Sequence, residues 1–192
     1  MKVEPITNPK DIAKIKRLLR DDKRNRLLFI MGINTGLRVQ DLLALRVNQV
    51  EQATIGVRIP LKEKKTGKDN VLIINEEIYK ALQDYLCLIN DKHASHKKLP
   101  DEYLFRSRKG RNYPLTTFAV TQMMQKWCDS IGLKINAGAH TMRKTWAYQQ
   151  RKQFGTPWEV IAKRLNHSNP AVTRRYMGVQ TEEVEEVLMN EI

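Results

Sequence analysis

The sequence predicts an α+β domain that is mainly helical and carries one small antiparallel β-hairpin. Apolar residues recur at helical spacing along most of the chain, as in Ile12, Ile15, Leu18 and Leu19 and again in Ile78, Leu82, Tyr85, Leu86 and Ile89. A single pair of β-branched runs, residues 54–59 and 71–74, flanks the polar stretch KEKKTGKDN. Helix-start signals punctuate the rest: Asn8-Pro9, Thr156-Pro157-Trp158-Glu159 and Asn169-Pro170 each put a capping side chain before a proline.

Taken in order, Asn8 caps a first helix, and a second runs from about Asp22 through Leu27, Leu28 and Met31 to a stop near Gly36. NTGLRVQDLLALRVNQV then packs a turn, Arg38 and an apolar helix anchored by Leu42, Leu43 and Leu45. An arginine at a helix start opposes the helix dipole; a bound phosphate explains it, and so does simple solvation. The β-branched runs form a hairpin with a lysine-rich tip holding Lys62, Lys64, Lys65 and Lys68. Asn75 caps the helix of Ile78 to Ile89, and a loop-like span follows, broken by Leu104-Phe105 as a short strand or a docked loop. Thr116 or Thr117 begins a helix that turns Val120, Met123, Met124 and Trp127 inward. Thr156 and Glu159 read as a capping box, and that helix should end at Asn166-His167.

A chain of 192 residues can bury a core without disulfides. Its 41% hydrophobic and 29% charged composition is ordinary, but its net charge of +13 is not. A field of that sign implies a polyanionic partner, and nucleic acid fits better than a membrane surface, because no isolated basic amphipathic anchor is present. No apolar run approaches the ~20 residues needed to span a bilayer, and no leader precedes the polar start, so a cytoplasmic, DNA-associated protein is expected. Cys87 and Cys128 sit in apolar helical patterns and read as buried free thiols. His93 and His96 stand three apart among lysines without a third ligand nearby, which reads as a solvated loop rather than a metal site.

The charge concentrates toward the C-terminus, where nine Lys/Arg and only Glu159 lie between Lys134 and Arg175. Within residues 140–176 stand His140, Arg143, His167 and Tyr176. Imidazole, guanidinium and phenol supply donors, proton carriers and a nucleophile for a phosphate centre, and are a poor set for holding a metal.

These residues resemble the catalytic domain of the tyrosine recombinases, the phage integrase family. TGLRVQDLLAL around Arg38 matches the family's first box, and Lys65 in KKTG occupies the place of its catalytic lysine. The H-x-x-R box is His140-Thr141-Met142-Arg143, and the last box is Leu165-Asn166-His167 followed by SNPAVTRRY, ending at Tyr176. The resemblance covers roughly residues 10–178. Asn166 replaces the usual glycine, Lys144 stands where a histidine often follows the second arginine, and Met177-Gly178 departs from the common residues after the tyrosine.

The resemblance implies a recombinase catalytic domain over residues 1–180 and strand transfer without metal or other cofactor. Tyr176 would attack the scissile phosphate, giving a 3′-phosphotyrosyl link and a free 5′-hydroxyl. Arg38 and Arg143 would clamp the nonbridging oxygens, and Lys65 would protonate the leaving oxygen. His140 would assist proton transfer at the tyrosine, and His167 would hydrogen-bond the phosphate. Lys64, adjacent to Lys65, stays open as the general acid until the hairpin register is known. Lys62, Lys64, Lys68, Arg106, Arg108, Lys109, Arg111, Lys144, Arg174 and Arg175 are the expected contacts to double-stranded DNA. No small-molecule substrate is expected.

Family members usually carry a helical core-binding domain ahead of the catalytic one, and none is expected in this chain. The same chemistry also serves topoisomerase-like or resolvase-like strand transfer, and a DNA-binding module without autonomous recombination is a further alternative. Residues 181–192 hold five glutamates and no basic residue, with Val184, Val187, Leu188 and Ile192 at helical spacing. They form either a free acidic tail or a segment that docks on a neighbouring protomer.

Overall fold

The computed structural model describes residues 3–93, 101–109, 112–177 and Met189, with only the backbone described for 92 and 93. The second helix, α2 (Lys23–Thr35), is the centre of the packing. It starts at Asp22, whose carboxylate accepts the Asn25 N–H at 3.2 Å, and it ends on Gly36. Leu27, Leu28, Phe29, Ile30 and Met31 are all buried, so this helix is covered on nearly every face. Its coverage comes from α1 (Pro9–Leu18), α3 (Val39–Leu43), α4 (Glu76–His93) and α6 (Thr141–Phe154). Asn8 caps α1 by accepting the Lys10 N–H at 2.9 Å, and Asn75 accepts the Ile78 N–H at the start of α4. Removing any one of these buried leucines would cost ~2–5 kcal/mol.

Thr116 caps α5 (Thr117–Ser130), whose Val120, Met124, Trp127 and Cys128 are buried as the periodicity predicts. Trp127 meets Phe29 of α2 edge-on, with ring centroids 6.1 Å apart. Burial pushes the Cys128 thiol up to about 11, whereas Cys87 lies exposed, against the expectation that both would be buried. The helical period around Cys87 is real, but its position falls on the solvent side of α4. Leu104 and Phe105 are fully buried in a docked loop joined to its neighbours by isolated bridges, Arg46 to Tyr103 and Arg106 to Pro114. His93 closes α4, while His96 and Arg111 lie outside the described residues.

The hairpin forms, but with its first strand displaced from the predicted place. Strands β1 (Arg58–Lys62) and β2 (Asp69–Ile73) pair antiparallel, Arg58 against Ile73 and Lys62 against Asp69. Residues 54–57 make a turn instead, because Gly56 takes φ 85° and returns its N–H to the Ile74 carbonyl at 2.8 Å. Pro60 is tolerated within β1 because a two-stranded ribbon leaves one side of each strand unpaired.

A smaller apolar cluster lies under the C-terminal helices α7 (Trp158–Arg164) and α8 (Pro170–Met177). It consists of Ala147, Trp158, Ile161, Leu165 and Met177, with Trp146, Tyr148 and Tyr176 packed on it. The expected capping box at α7 does not form. The Thr156 hydroxyl donates to the Gln150 side chain at 3.1 Å, and the helix begins one residue later, with Pro157 in the cap position. Asn169 caps α8 by accepting the Val172 N–H at 3.0 Å. Apart from Met189, residues 181–192 and the stripe expected in them lie outside the described residues. Among the described residues no helix is long and apolar enough to cross a membrane.

Candidate functional site

Two arginines from distant parts of the chain meet beyond the C-terminal end of α2. Gly36 turns the chain there with φ 64°, and a Cβ at this position would collide with the Trp146 ring, so the turn needs glycine on two counts. Arg38 follows as the N-terminal boundary of α3. Arg143, on the first turn of α6, is only 2% exposed and donates to the Gly36 carbonyl at 2.7 Å and to the Leu165 carbonyl at 2.6 Å. Burial and the Arg38 charge lower its guanidinium to about 10, so it stays protonated at neutral pH.

The hairpin tip closes over Arg38 through two acids. Asp41 accepts the Lys64 backbone N–H at 2.9 Å, anchoring the tip to α3. Burial raises the Asp41 carboxyl, against that hydrogen bond. Glu63, whose side chain is 0% exposed, forms an ion pair with the Arg38 guanidinium; this is a charge contact and not an aligned hydrogen bond. Its carboxylate also accepts from Thr66 and, at 2.8 Å, from the Asn70 amide. Burial alone would raise Glu63, but hydrogen bonds from Thr66, Asn70 and Asn166 and the Arg38 charge bring it down to about 2. Burial first, then the Arg143 and Lys65 charges, lower the His140 imidazole, so Lys65 lies within electrostatic reach of it.

Tyr176 comes in from the last turn of α8. Its hydroxyl lies 3.4 Å from His140 Nδ1, and its ring sits edge-on to His140 and His167, with centroids 6.4 and 5.3 Å away. Burial raises the phenol pKa, while the charges of Arg143 and Arg38 and a hydrogen bond from Arg143 work against the rise. Burial and the neighbouring Arg143 charge lower both histidines, His167 to about 4, so both are neutral at pH 7. A neutral His140 can take a proton. His167 Nδ1 faces the Thr173 hydroxyl at 2.9 Å; with that hydroxyl donating, Nε2–H is left as a donor. Asn166 sits at φ 52°, the left-handed conformation that asparagine tolerates better than most residues, and its amide reaches the Asp69 carbonyl at 3.3 Å.

All six residues expected to do chemistry thus converge from α3, the hairpin, α6 and the α7–α8 corner. The basic residues expected at DNA divide. Lys62, Lys64, Lys68, Arg108, Lys109, Arg174 and Arg175 are exposed. Arg106 is half-buried and paired with Glu102. Lys144 departs from the expected surface position: it is buried, with its ammonium 4.7 Å above the Tyr176 ring. Sequence reasoning passed over Glu63, Arg164 and Thr173. The Asp41 hydrogen bond to the Lys64 backbone joins segments distant in sequence and had no local signal either. Glu63 flanks the KKTG motif, and a lone acid among lysines was its only visible signal. Among the described residues no three His, Cys, Asp or Glu side chains are grouped to hold a metal ion.

Residues 7–183 match the phage integrase family model. The chain is 31% identical over 181 residues to the probable integrase/recombinase YoeC of Bacillus subtilis (strain 168), covering 92% of this chain and 90% of YoeC. It is 28% identical to a tyrosine recombinase of Pseudothermotoga lettingae, over 91% of this chain but only 56% of that protein's length. Among solved structures, the XerA recombinase superposes with a TM-score of 0.75 at 24% identity, covering 98% of this chain and 67% of XerA. The XerH recombinase bound to palindromic difH substrate in a post-cleavage complex superposes at 0.76 and 21% identity, over 98% of this chain and 53% of XerH.

Proposed function

We propose that this chain, which belongs to the phage integrase family, breaks and rejoins DNA strands through Tyr176 in a site-specific recombination reaction that needs no metal. The observation that carries the reading is the convergence of the Tyr176 hydroxyl on a neutral His140 and on Arg143, with Arg38 and Lys65 beside them. A phenol whose pKa burial raises above its ordinary value needs a base to become a nucleophile. His140 is the group positioned to serve, and its long contact would tighten when substrate docks. The two guanidiniums would stabilise charge on the nonbridging oxygens where it builds in the transition state. His167 would donate to the same phosphate, and Lys65 would protonate the leaving 5′-oxygen. The phosphodiester bond energy is kept in the 3′-phosphotyrosyl link, so rejoining needs no external energy source. The exposed lysines and arginines around the site suit phosphate contacts along a duplex.

The test is covalent capture on a library of nicked duplexes with randomised centres, in excess EDTA. Wild-type chain is expected to yield detergent-stable protein–DNA adducts, and Tyr176→Phe none, with duplex affinity changed by no more than a few-fold. Adducts that persist in Tyr176→Phe, or that require Mg²⁺, would overturn the reading. Intact duplex binding with no adduct from the wild type would leave a DNA-binding module. For assembly, we propose that the chain acts as a homo-oligomer on DNA through residues 181–192, which sedimentation of a chain lacking them on a two-site duplex would test.

A further inference from the structure

Glu63 is the only fully buried carboxylate on the hairpin, and it contacts both halves of the chemistry. On one side it pairs with Arg38, whose own side chain is 14% exposed. On the other it organises the turn that carries Lys65. The Thr66 hydroxyl donates to its carboxylate, the Gly67 N–H donates to its carbonyl at 2.8 Å, and its N–H donates to the Lys68 carbonyl at 2.9 Å. The carboxylate is itself held from behind. Asn70 donates to it, and the Asn70 carbonyl in turn accepts from Arg164 at 2.7 Å. Arg164 also donates to the Thr35 carbonyl at 2.7 Å and the Val71 carbonyl at 2.8 Å, tying the ends of α2 and α7 to β2.

A buried carboxylate is costly unless it is paired and its lone pairs are satisfied, and here Arg38 at the start of α3, Thr66 and Asn70 of the hairpin and Asn166 of the α7–α8 corner satisfy it. Arg143 needs no such partner, because two main-chain carbonyls hold it. Arg38 has no described main-chain acceptor and would otherwise be a long, rotamer-rich side chain beside a like charge. We infer that Glu63 is a positioning residue for strand cleavage: by pairing with Arg38 and ordering the Lys65 turn, it sets one of the phosphate-binding arginines and the general acid with a single carboxylate. Asn70 and Arg164 support that carboxylate from behind. The inference rests on the strand-cleavage reading for its kinetic consequence, but the holding of Arg38 can be measured without any chemistry.

Arginine side-chain NMR on the full chain is the first arm. In the wild type the Arg38 guanidinium should show restricted rotation, as Arg143 should. In Glu63→Gln the Arg38 signals should average while those of Arg143 persist as an internal reference. Free rotation of Arg38 in the wild type would overturn the inference whatever the activity, and so would equal loss at both arginines. The second arm is single-turnover adduct formation against duplex affinity. Glu63→Gln should slow adduct formation by at least about ten-fold, with Kd within about three-fold, because the groups affected act where charge develops. A substrate whose 5′-bridging oxygen is sulfur needs little acid, and should return part of that loss by removing the share that passes through Lys65. A rate within two-fold of wild type, or a loss with no sulfur rescue, would overturn the assignment. If Glu63→Gln does not fold, Asn70→Ala keeps the ion pair but removes one support, and should show the same pattern at several-fold size. Failure of the wild type to form adducts would overturn the strand-cleavage reading, while the NMR arm would still decide the role of Glu63.

Discussion

The half of the site built on α2, α3 and α6 and the half built on α7 and α8 rest on very different amounts of interior. Arg38 and Arg143 stand over the main core, where α2 is buried on nearly all sides. Tyr176 and His167 stand on a satellite whose buried members are Ala147, Trp158, Ile161, Leu165 and Met177. The two halves meet where Ala147 of α6 enters the satellite, and polar bonds tie them further, Arg143 to the Leu165 carbonyl and Arg164 to Thr35 and Val71. A region with few buried apolar contacts opens at lower free-energy cost than the core it leans on. The two arginines therefore sit on the deeper interior, and Tyr176, the nucleophile of the proposed reaction, sits on the region that can be displaced more cheaply.

The harshest way to break this arrangement is Arg143→Ala. It removes a charge from the site and the bonds to Gly36 and Leu165 together. Adduct formation should fall by about a thousand-fold or more, and Tm should drop as well, because buried carbonyls lose their donors. A variant with wild-type Tm but no adducts would mean that those carbonyl bonds do not help to hold the halves together.

Ile161→Ala sharpens the comparison by weakening one half alone. Ile161 is fully buried in the satellite, so the substitution should cost ~2–4 kcal/mol. Amide exchange in α7 and α8 should accelerate while protection in α2 is retained, and adduct formation should fall about ten-fold. Uniform loss of protection along the whole chain would show that the two clusters unfold as one unit.

Acid should act on the same half next. His167 is lowered to about 4 from an ordinary 6.5, so between those values the unfolded chain binds a proton that the folded chain refuses. Stability should therefore decline as pH falls through that window and level off below about 4. Since His140 is also lowered, cleavage that uses it as a base should hold its rate at pH 7 and fall only below the usual histidine range. Melting curves and adduct rates across pH 4–8 would check both limbs. Stability that rises on acidification would contradict the buried, neutral state of these rings.

Asn166→Gly should produce the smallest change. Glycine takes φ 52° at no steric cost, but it loses the amide contacts to Asp69 and Glu63 and gains entropy in the unfolded chain. The expected result is a net loss of under about 1 kcal/mol and a modest slowing of adduct formation. A stabilised variant would show that those contacts contribute nothing.

Local signals determined most of the architecture. The caps at Asn8, Asn75, Thr116 and Asn169, the helical spacing around Leu27 and Leu82, and the stop at Gly36 act within a few residues of themselves, so one sequence is enough to read them. The six residues expected to do chemistry could be named for a related reason: their side-chain types suit a phosphate, and they stand in recognisable local motifs. What the sequence by itself could not determine depends on contacts between distant segments. Whether β1 began before or after Gly56 was decided by one N–H finding the Ile74 carbonyl. Whether Lys144 faced solvent was decided by the arrival of Tyr176 over it. Glu63 drew no reading from the sequence, and only folding brought Arg38, Asn70 and Asn166 around it. Burial strengthens each such pairing and makes its absence costly. The tertiary structure alone decides which polar residues are exposed to that condition.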